Sequence, residues 1–137
     1  MKIIFNIEPV EQARPRATKT RKGIRLYDPQ KVATYKKQLG MMCKFQYKDK
    51  PLDGPLIVSL KFYRQVQSSI SKKERELRIA GAHRPIVKPD TDNYIKSTLD
   101  GLNGLLWKDD NQIVKIVAEK YYSDHPRVEI EVRDLNE

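Results

Sequence analysis

Leu56, Val58, Leu60 and Phe62 alternate with Ile57, Ser59, Lys61 and Tyr63, a period of two that fits a strand with one apolar face and does not fit a helix. Such a face must be covered, and two stretches have the pattern of a cover. In the first, Asp28 offers an N-cap acceptor, Pro29 suits the first helical position, and Val32, Tyr35, Leu39 and Met42 form a stripe, which predicts a helix from about Pro29 to Phe45. In the second, Ile95, Leu99 and Leu102 share one helical face between Asp92 and Asn103, and Gly104 stops the helix. Further strands are expected at Lys2 to Ile7, Ile113 to Tyr122 and Arg127 to Val132, the last two joined around Asp124-His125-Pro126. The fold class is therefore α+β: a mixed or mainly antiparallel sheet of four or five strands with two principal helices packed on it. At 137 residues the chain fits a single domain spanning residues 1–137.

Between the central strand and the second helix lies an excursion from Gln65 to Lys88. Ser71-Lys72-Lys73-Glu74 has capping-box spacing and opens a short polar helix to Ala80, stopped by Gly81, which reads as a lid or surface segment. Lys72, Lys73, Arg75 and Arg78 give it a basic surface. A lone Cys43 excludes an internal disulfide, and no Cys/His cluster suggests zinc, so a reducing, cytoplasmic setting is expected. No stretch approaches the roughly 20 apolar residues of a membrane span.

Charge is unevenly distributed. Residues 1–88 hold 21 Lys/Arg against 7 Asp/Glu, whereas residues 89–137 hold 6 against 11. The basic part favours a polyanionic partner, and it is densest at Arg14, Arg16, Lys19, Arg21, Lys22 and Arg25, a cationic loop or short hairpin turning at Lys22-Gly23. The acidic part is concentrated in Asp90, Asp92, Asp100, Asp109 and Asp110. Carboxylates repel phosphate, so on a surface built for a polyanion they point to a cation between the two.

Phosphodiester hydrolysis needs an activated water and charge compensation on the phosphoryl oxygens, which hard divalent ions supply. Magnesium takes a few carboxylates and leaves its other positions to water and phosphate. Asp90 and Asp92 at a helix entrance, with Asp110 from the turn beyond Trp107, suit such a partial shell, and Lys96, one turn above Asp92, can set an ammonium beside the scissile group. Each residue also has a plainer role. Asp90 or Thr91 can cap the helix, Asp92 can complement its dipole, Lys96 can pair with Asp92, and Asp109-Asp110-Asn111 can be an ordinary turn. A calcium-binding EF-hand loop is excluded, because its sixth and twelfth positions would be Ile95 and Gly101. His83 and His125 read as structural. Trp107 reads as packing that fixes the Asp110 turn, and Tyr121 and Tyr122 as strand residues facing opposite sides.

Taken together, Lys88-Pro89-Asp90-x-Asp92-Asn93-x-x-Lys96, then Asp100-x-Leu102-Asn103, then Trp107-x-Asp109-Asp110-x-Gln112-Ile113-Val114 resemble the RusA family of Holliday junction resolvases. The motifs cover about residues 88 to 120, and the first half is similar in layout only. The resemblance implies a Mg2+-dependent endodeoxyribonuclease, with Mn2+ as a substitute, that resolves four-way DNA junctions by paired hydrolysis in recombination and repair. It places metal-binding acids at Asp90, Asp92 and Asp110, the essential lysine at Lys96, supporting residues at Asp100, Asp109 and Asn93, and DNA contacts at the cationic loop and Lys88. Paired cuts in a two-fold junction imply a homodimer. The alternatives are a noncatalytic nucleic-acid-binding module and a more general branched-DNA nuclease.

Overall fold

The computed structural model describes residues 1–137. Its strands and helices run β1 (Lys2–Phe5), β2 (Arg16–Thr20), β3 (Gly23–Tyr27), α1 (Gln30–Gln46), β4 (Leu56–Gln65), α2 (Lys72–Ile79), α3 (Thr91–Leu102), β5 (Ile113–Ser123) and β6 (Arg127–Asp134), with a single 3-10 turn at Asp110–Gln112. Four strands form a mixed sheet in the order β1-β6-β4-β5. β4 pairs antiparallel with β6 and parallel with β5, and β1 pairs antiparallel with β6. The α+β expectation holds, with one parallel pairing among three.

The alternation that opened the sequence decides the core. Leu56, Val58, Leu60 and Phe62 are buried on the inner face of β4, beside Val128, Ile130 and Val132 of β6 and Ile3 and Phe5 of β1. Helices α1 and α3 cover this face. Val32, Tyr35, Leu39 and Cys43 turn inward from α1, and Tyr94, Leu99 and Leu102 from α3. The Phe62 and Tyr94 rings stack with centroids 5.1 Å apart, tying α3 to the central strand. On the opposite face of the sheet Tyr63 stacks on Tyr121 at 5.0 Å, while Tyr122 is buried, so the two tyrosines do face opposite sides.

Small and polar residues set the spacing between the helices. A Cβ added at Gly101 would lie 3.1 Å from Leu39 Cδ2 and 3.3 Å from the Lys36 Cα, and one at Gly40 would meet Gly101 O at 3.4 Å. The Tyr35 hydroxyl and Thr98 Oγ1 lie 2.7 Å apart, which satisfies both polar groups inside this contact. The α3 stripe is therefore rotated from the Ile95-Leu99-Leu102 expectation: Ser97 and Thr98 are buried and Ile95 is only half-buried.

Several local expectations change. Asp28 does not cap α1: Pro29 is the N-cap without a side-chain bond, and the Asp28 carboxylate instead accepts from Lys36 Nζ at 2.7 Å and Gln12 Nε2 at 3.0 Å. A nearby ammonium outcompetes a backbone amide for an ionised acceptor. Strand β1 ends at Phe5, because the Ile7 amide turns back to Phe5 O. Ser71 caps α2 by accepting from the Glu74 amide at 3.1 Å, but Glu74 does not reach back; its carboxylate takes Arg78 and His83.

We predict that Gly101→Val forces α1 and α3 apart and destabilises the protein by about 1–3 kcal/mol. The measurement is equilibrium urea unfolding against the wild type, and unchanged stability would contradict the close approach.

Candidate functional site

The candidate site sits where α3 meets the turn before β5. Asp92, Ile95, Lys96, Leu99, Asp100 and Asp110 line one open cavity of about 260 Å³. Five of the six arise from helical spacing, since residues 92, 95, 96, 99 and 100 fall on adjoining turns of one face. Ile95 and Leu99 supply its apolar floor. Asp110 comes from a separate element. Its backbone amide donates to Asn103 Oδ1 at 2.9 Å, which ties the turn to the C-terminal end of α3.

That turn is more structured than its sequence suggested. Asp109 accepts from the Asn111 amide at 3.0 Å, Gln112 Oε1 accepts from the Asp109 amide at 2.8 Å, and together they make a capping box around Asp110–Gln112. Gln112 Nε2 then donates to Leu52 O and Gly54 O, anchoring the turn to the loop before β4. Trp107 is 0% exposed and pairs through its backbone with Leu52 and Asn103. It packs beneath the turn, as expected, and offers no stacking surface.

Electrostatics single out Asp110. Burial, the hydrogen bond shared with Asp109, and the charges of Asp109 and Asp100 push its carboxyl above the usual carboxylate range, against a smaller downward pull from Lys96. Asp100 is better compensated: Lys36 Nζ lies 3.3 Å from its Oδ2 and Lys96 Nζ 3.6 Å. Lys96 thus pairs with Asp100 rather than Asp92. Lys36 also holds Asp28 at 2.7 Å, and chiefly through this bond keeps the Asp28 carboxyl below the usual range.

The sequence-predicted residues separate into groups. Asp92, Lys96, Asp100 and Asp110 share the cavity. Asp90 does not line it; this residue is the exposed N-cap of α3 and makes no side-chain cap bond. No three His, Cys, Asp or Glu side chains stand close enough to hold one ion between them. Asp92 accepts one bond, from the Asn93 amide at 3.0 Å. Asn93 serves through its backbone, its carbonyl accepting from the Gln12 amide at 2.9 Å. Arg14, Arg16, Lys19, Arg21, Lys22 and Arg25 are all exposed on or beside the β2–β3 hairpin, and Lys88 is exposed before α3.

A hard divalent cation suits what is present. The donors are carboxylate oxygens, Asp92 and Asp110 line one cavity, Asp110 is pushed up by burial and then by the acids beside it, and magnesium requires only one or two carboxylates.

Two residues escaped the sequence reading. Lys120 Nζ donates to Val87 O at 3.1 Å and Pro89 O at 2.9 Å, and Arg64 Nη1 donates to Lys88 O at 2.7 Å. Three successive carbonyls leading into Asp90 are held by cations from β4 and β5. Arg84 adds a bond to Lys120 O at 2.8 Å, and Arg78 lies over the Tyr122 ring at 4.7 Å, so the excursion rests against the sheet. The signal in the sequence is faint: a lysine and an arginine on the inner face of strands otherwise apolar there.

A family model described as Endodeoxyribonuclease RusA matches residues 6–133. The uncharacterised protein YqaN of Bacillus subtilis (strain 168) is 37% identical over 131 residues, covering 94% of this chain and 92% of the relative.

Two outcomes are expected. A carboxyl whose proton affinity is raised by folding costs stability once it is ionised, so the penalty from Asp110 is absent well below its unfolded pKa of about 4 and grows as pH rises through the folded value. Asp110→Asn therefore raises the melting temperature of the metal-free protein at pH 7, and the gain disappears near pH 3. Lys120→Met removes the donor shared by the Val87 and Pro89 carbonyls and lowers stability to urea by about 1–2 kcal/mol. Lys120→Arg, which keeps a cationic donor, recovers most of that loss; equal unfolding midpoints in all three proteins would mean the carbonyls are not held by this side chain.

Proposed function

We infer the reaction from the premise that this chain belongs to the RusA endodeoxyribonuclease family, and so is an enzyme that cuts within DNA strands. The reading is a structure-selective, Mg2+-dependent hydrolysis of phosphodiesters in four-way junctions, in recombination and repair, with Mn2+ able to replace Mg2+. One observation carries it: Asp92, Asp110 and Lys96, far apart or unremarkable in sequence, line one cavity in a protein of net charge +9. A cation there explains why a polyanion-binding protein keeps these acids.

Asp92 and Asp110 are the residues that would hold the ion, with Asp90 adjoining through the N-terminus of α3. When bound, such an ion supplies charge compensation and a water of lowered pKa. The protein's own groups do the rest. Lys96 sets a positive charge in the cavity where negative charge grows on the phosphoryl oxygens, and Asp100, one turn above it, fixes where that ammonium lies. Lys36 shares Asp100 Oδ2 with Lys96, which keeps Lys96 from being fully quenched by its partner. Asp109 and Gln112 hold the Asp110 backbone, and Arg64 and Lys120 hold the segment before Asp90. Around the site, the hairpin cations and Lys88 bind phosphates, with affinity that falls as salt rises.

The substrate also supports a homodimer. A four-way junction is close to two-fold symmetric, and one site cannot make both cuts at once, whereas a C2 pair offers two equivalent sites.

Asp92→Asn is nearly isosteric and removes one ligating charge. It is expected to bind synthetic junctions as the wild type does and to cut them at least about 100-fold more slowly; unchanged cutting rejects the site. Lys96→Met should lose a similar factor. Comparing four-way, Y-shaped and linear substrates with and without Mg2+ tests the rest: equal rates on all three would make this a general nuclease, and full cutting in EDTA would remove the metal from the reaction.

A further inference from the structure

The β2–β3 hairpin has no place in the core. All ten of its strand residues are exposed, and the two strands pair only with each other. A free two-stranded ribbon is marginal in water, so its sequence is better explained by a surface it meets than by its own stability. Its register sorts the side chains into two faces, because residues directly opposite each other point the same way. Arg16, Thr18, Arg25 and Tyr27 share one face, while Ala17, Ile24 and Leu26 share the other with Lys19. Ile24 is 71% exposed and Leu26 66%, which is unusual for side chains on a strand.

We propose that this apolar face seats against unstacked bases at the branch point of a DNA junction, while Arg16, Arg25, Arg21 and Lys22 hold the flanking phosphates. The proposal deepens the endonuclease reading and rests on it. Charge selects the occupant. Residues 16–27 hold five Lys/Arg and no Asp/Glu, with Lys19 on the apolar face itself, so a second copy of this face would bring like charges together. A nucleic acid offers the complementary charge. Continuous duplex hides its base faces by stacking, whereas a branch point exposes them, and aliphatic side chains inserted at base steps are a known means of holding DNA open.

Position supports the same conclusion. The two feet of the hairpin are joined by Gln12 Nε2 donating to Asp28 Oδ1 at 3.0 Å, and both feet reach the catalytic helix. The Gln12 amide donates to Asn93 O at 2.9 Å, and Lys36 links Asp28 to Asp100. From those feet a five-residue strand extends about 17 Å, some five base pairs of duplex. A base displaced onto the hairpin is thereby kept at a fixed reach from the acid cavity, which would direct cutting to phosphates near the branch.

The test uses 2-aminopurine, placed beside the branch point of a four-way junction or in a linear duplex of the same strand, with the full-length protein in EDTA so that nothing is cut. Wild-type binding should raise junction fluorescence about twofold or more and leave the duplex unchanged. The double variant Ile24→Thr, Leu26→Thr keeps strand propensity and removes no core contact. It should lose most of the rise while junction affinity, read by anisotropy, changes by less than about threefold. Arg21→Gln with Lys22→Gln should do the reverse, weakening affinity but keeping the rise at saturation. A full rise from the double threonine variant overturns the proposal, as does sedimentation showing that these substitutions turn a dimer into a monomer. Wild type that cuts junctions without any fluorescence change overturns this inference and leaves the nuclease reading standing. Failure to bind or cut junctions overturns both.

Discussion

Two carboxylates held a few ångströms apart repel, by about 4 kcal/mol at 4 Å for an effective dielectric near 20, unless a cation stands between or beside them. The arrangement around α3 follows from that repulsion. Lys36 bridges Asp28 and Asp100, and Lys96 reaches Asp100 from the next turn, so the acids on the α1 side are compensated by the protein itself. Asp110 has no such partner, and burial first, then the neighbouring Asp109 and Asp100, make its carboxyl hold its proton more tightly. The cavity that Asp92 and Asp110 both line is thus the part of the surface where carboxylates are least compensated by the protein's own cations.

Such a balance is useful only if the acids stay where they are put. Asp92, Lys96 and Asp100 are carried on a helix whose inner face is locked by the Phe62–Tyr94 stack and the Tyr35–Thr98 contact. Asp110 and Asp90 lie outside regular helix, and each has its own restraint. The Asp109–Gln112 box fixes the first through the backbone, and Arg64 and Lys120 fix the approach to the second through three carbonyls. Holding a loop by its main chain leaves the side chain free to meet a ligand. The core and the site therefore share one support, the inner face of β4 and β5, which is apolar under the helices and cationic at its end.

Much of the fold was legible because it rests on local periodicity. The β4 alternation, the α1 stripe and the Gly104 stop each follow from backbone geometry that neighbouring residues enforce. Expectations failed where a residue had two possible partners. Asp28 looked like a helix cap, yet Lys36 competes for it; Glu74 had capping-box spacing, yet Arg78 and His83 take its carboxylate; Lys96 stood four residues from both Asp92 and Asp100 and took the latter. Spacing identifies candidates for a bond, and distance in three dimensions chooses among them. Asp90 shows the same limit: two residues from Asp92 in sequence, it sits outside the cavity that Asp92 lines.

By itself the sequence determined the element types, the pairing of a basic half with an acidic run, and the family-like order of lysine, aspartate and tryptophan motifs, since these depend on residue identity and short spacing alone. Only the tertiary structure decided that Asp110 joins Asp92 across a gap of eighteen positions, that strand cations clamp the chain before Asp90, and that the cationic hairpin stands clear with an uncovered apolar face. The physical reason is that charge compensation and burial are sums over neighbours in space. No local rule specifies which distant side chains those neighbours will be.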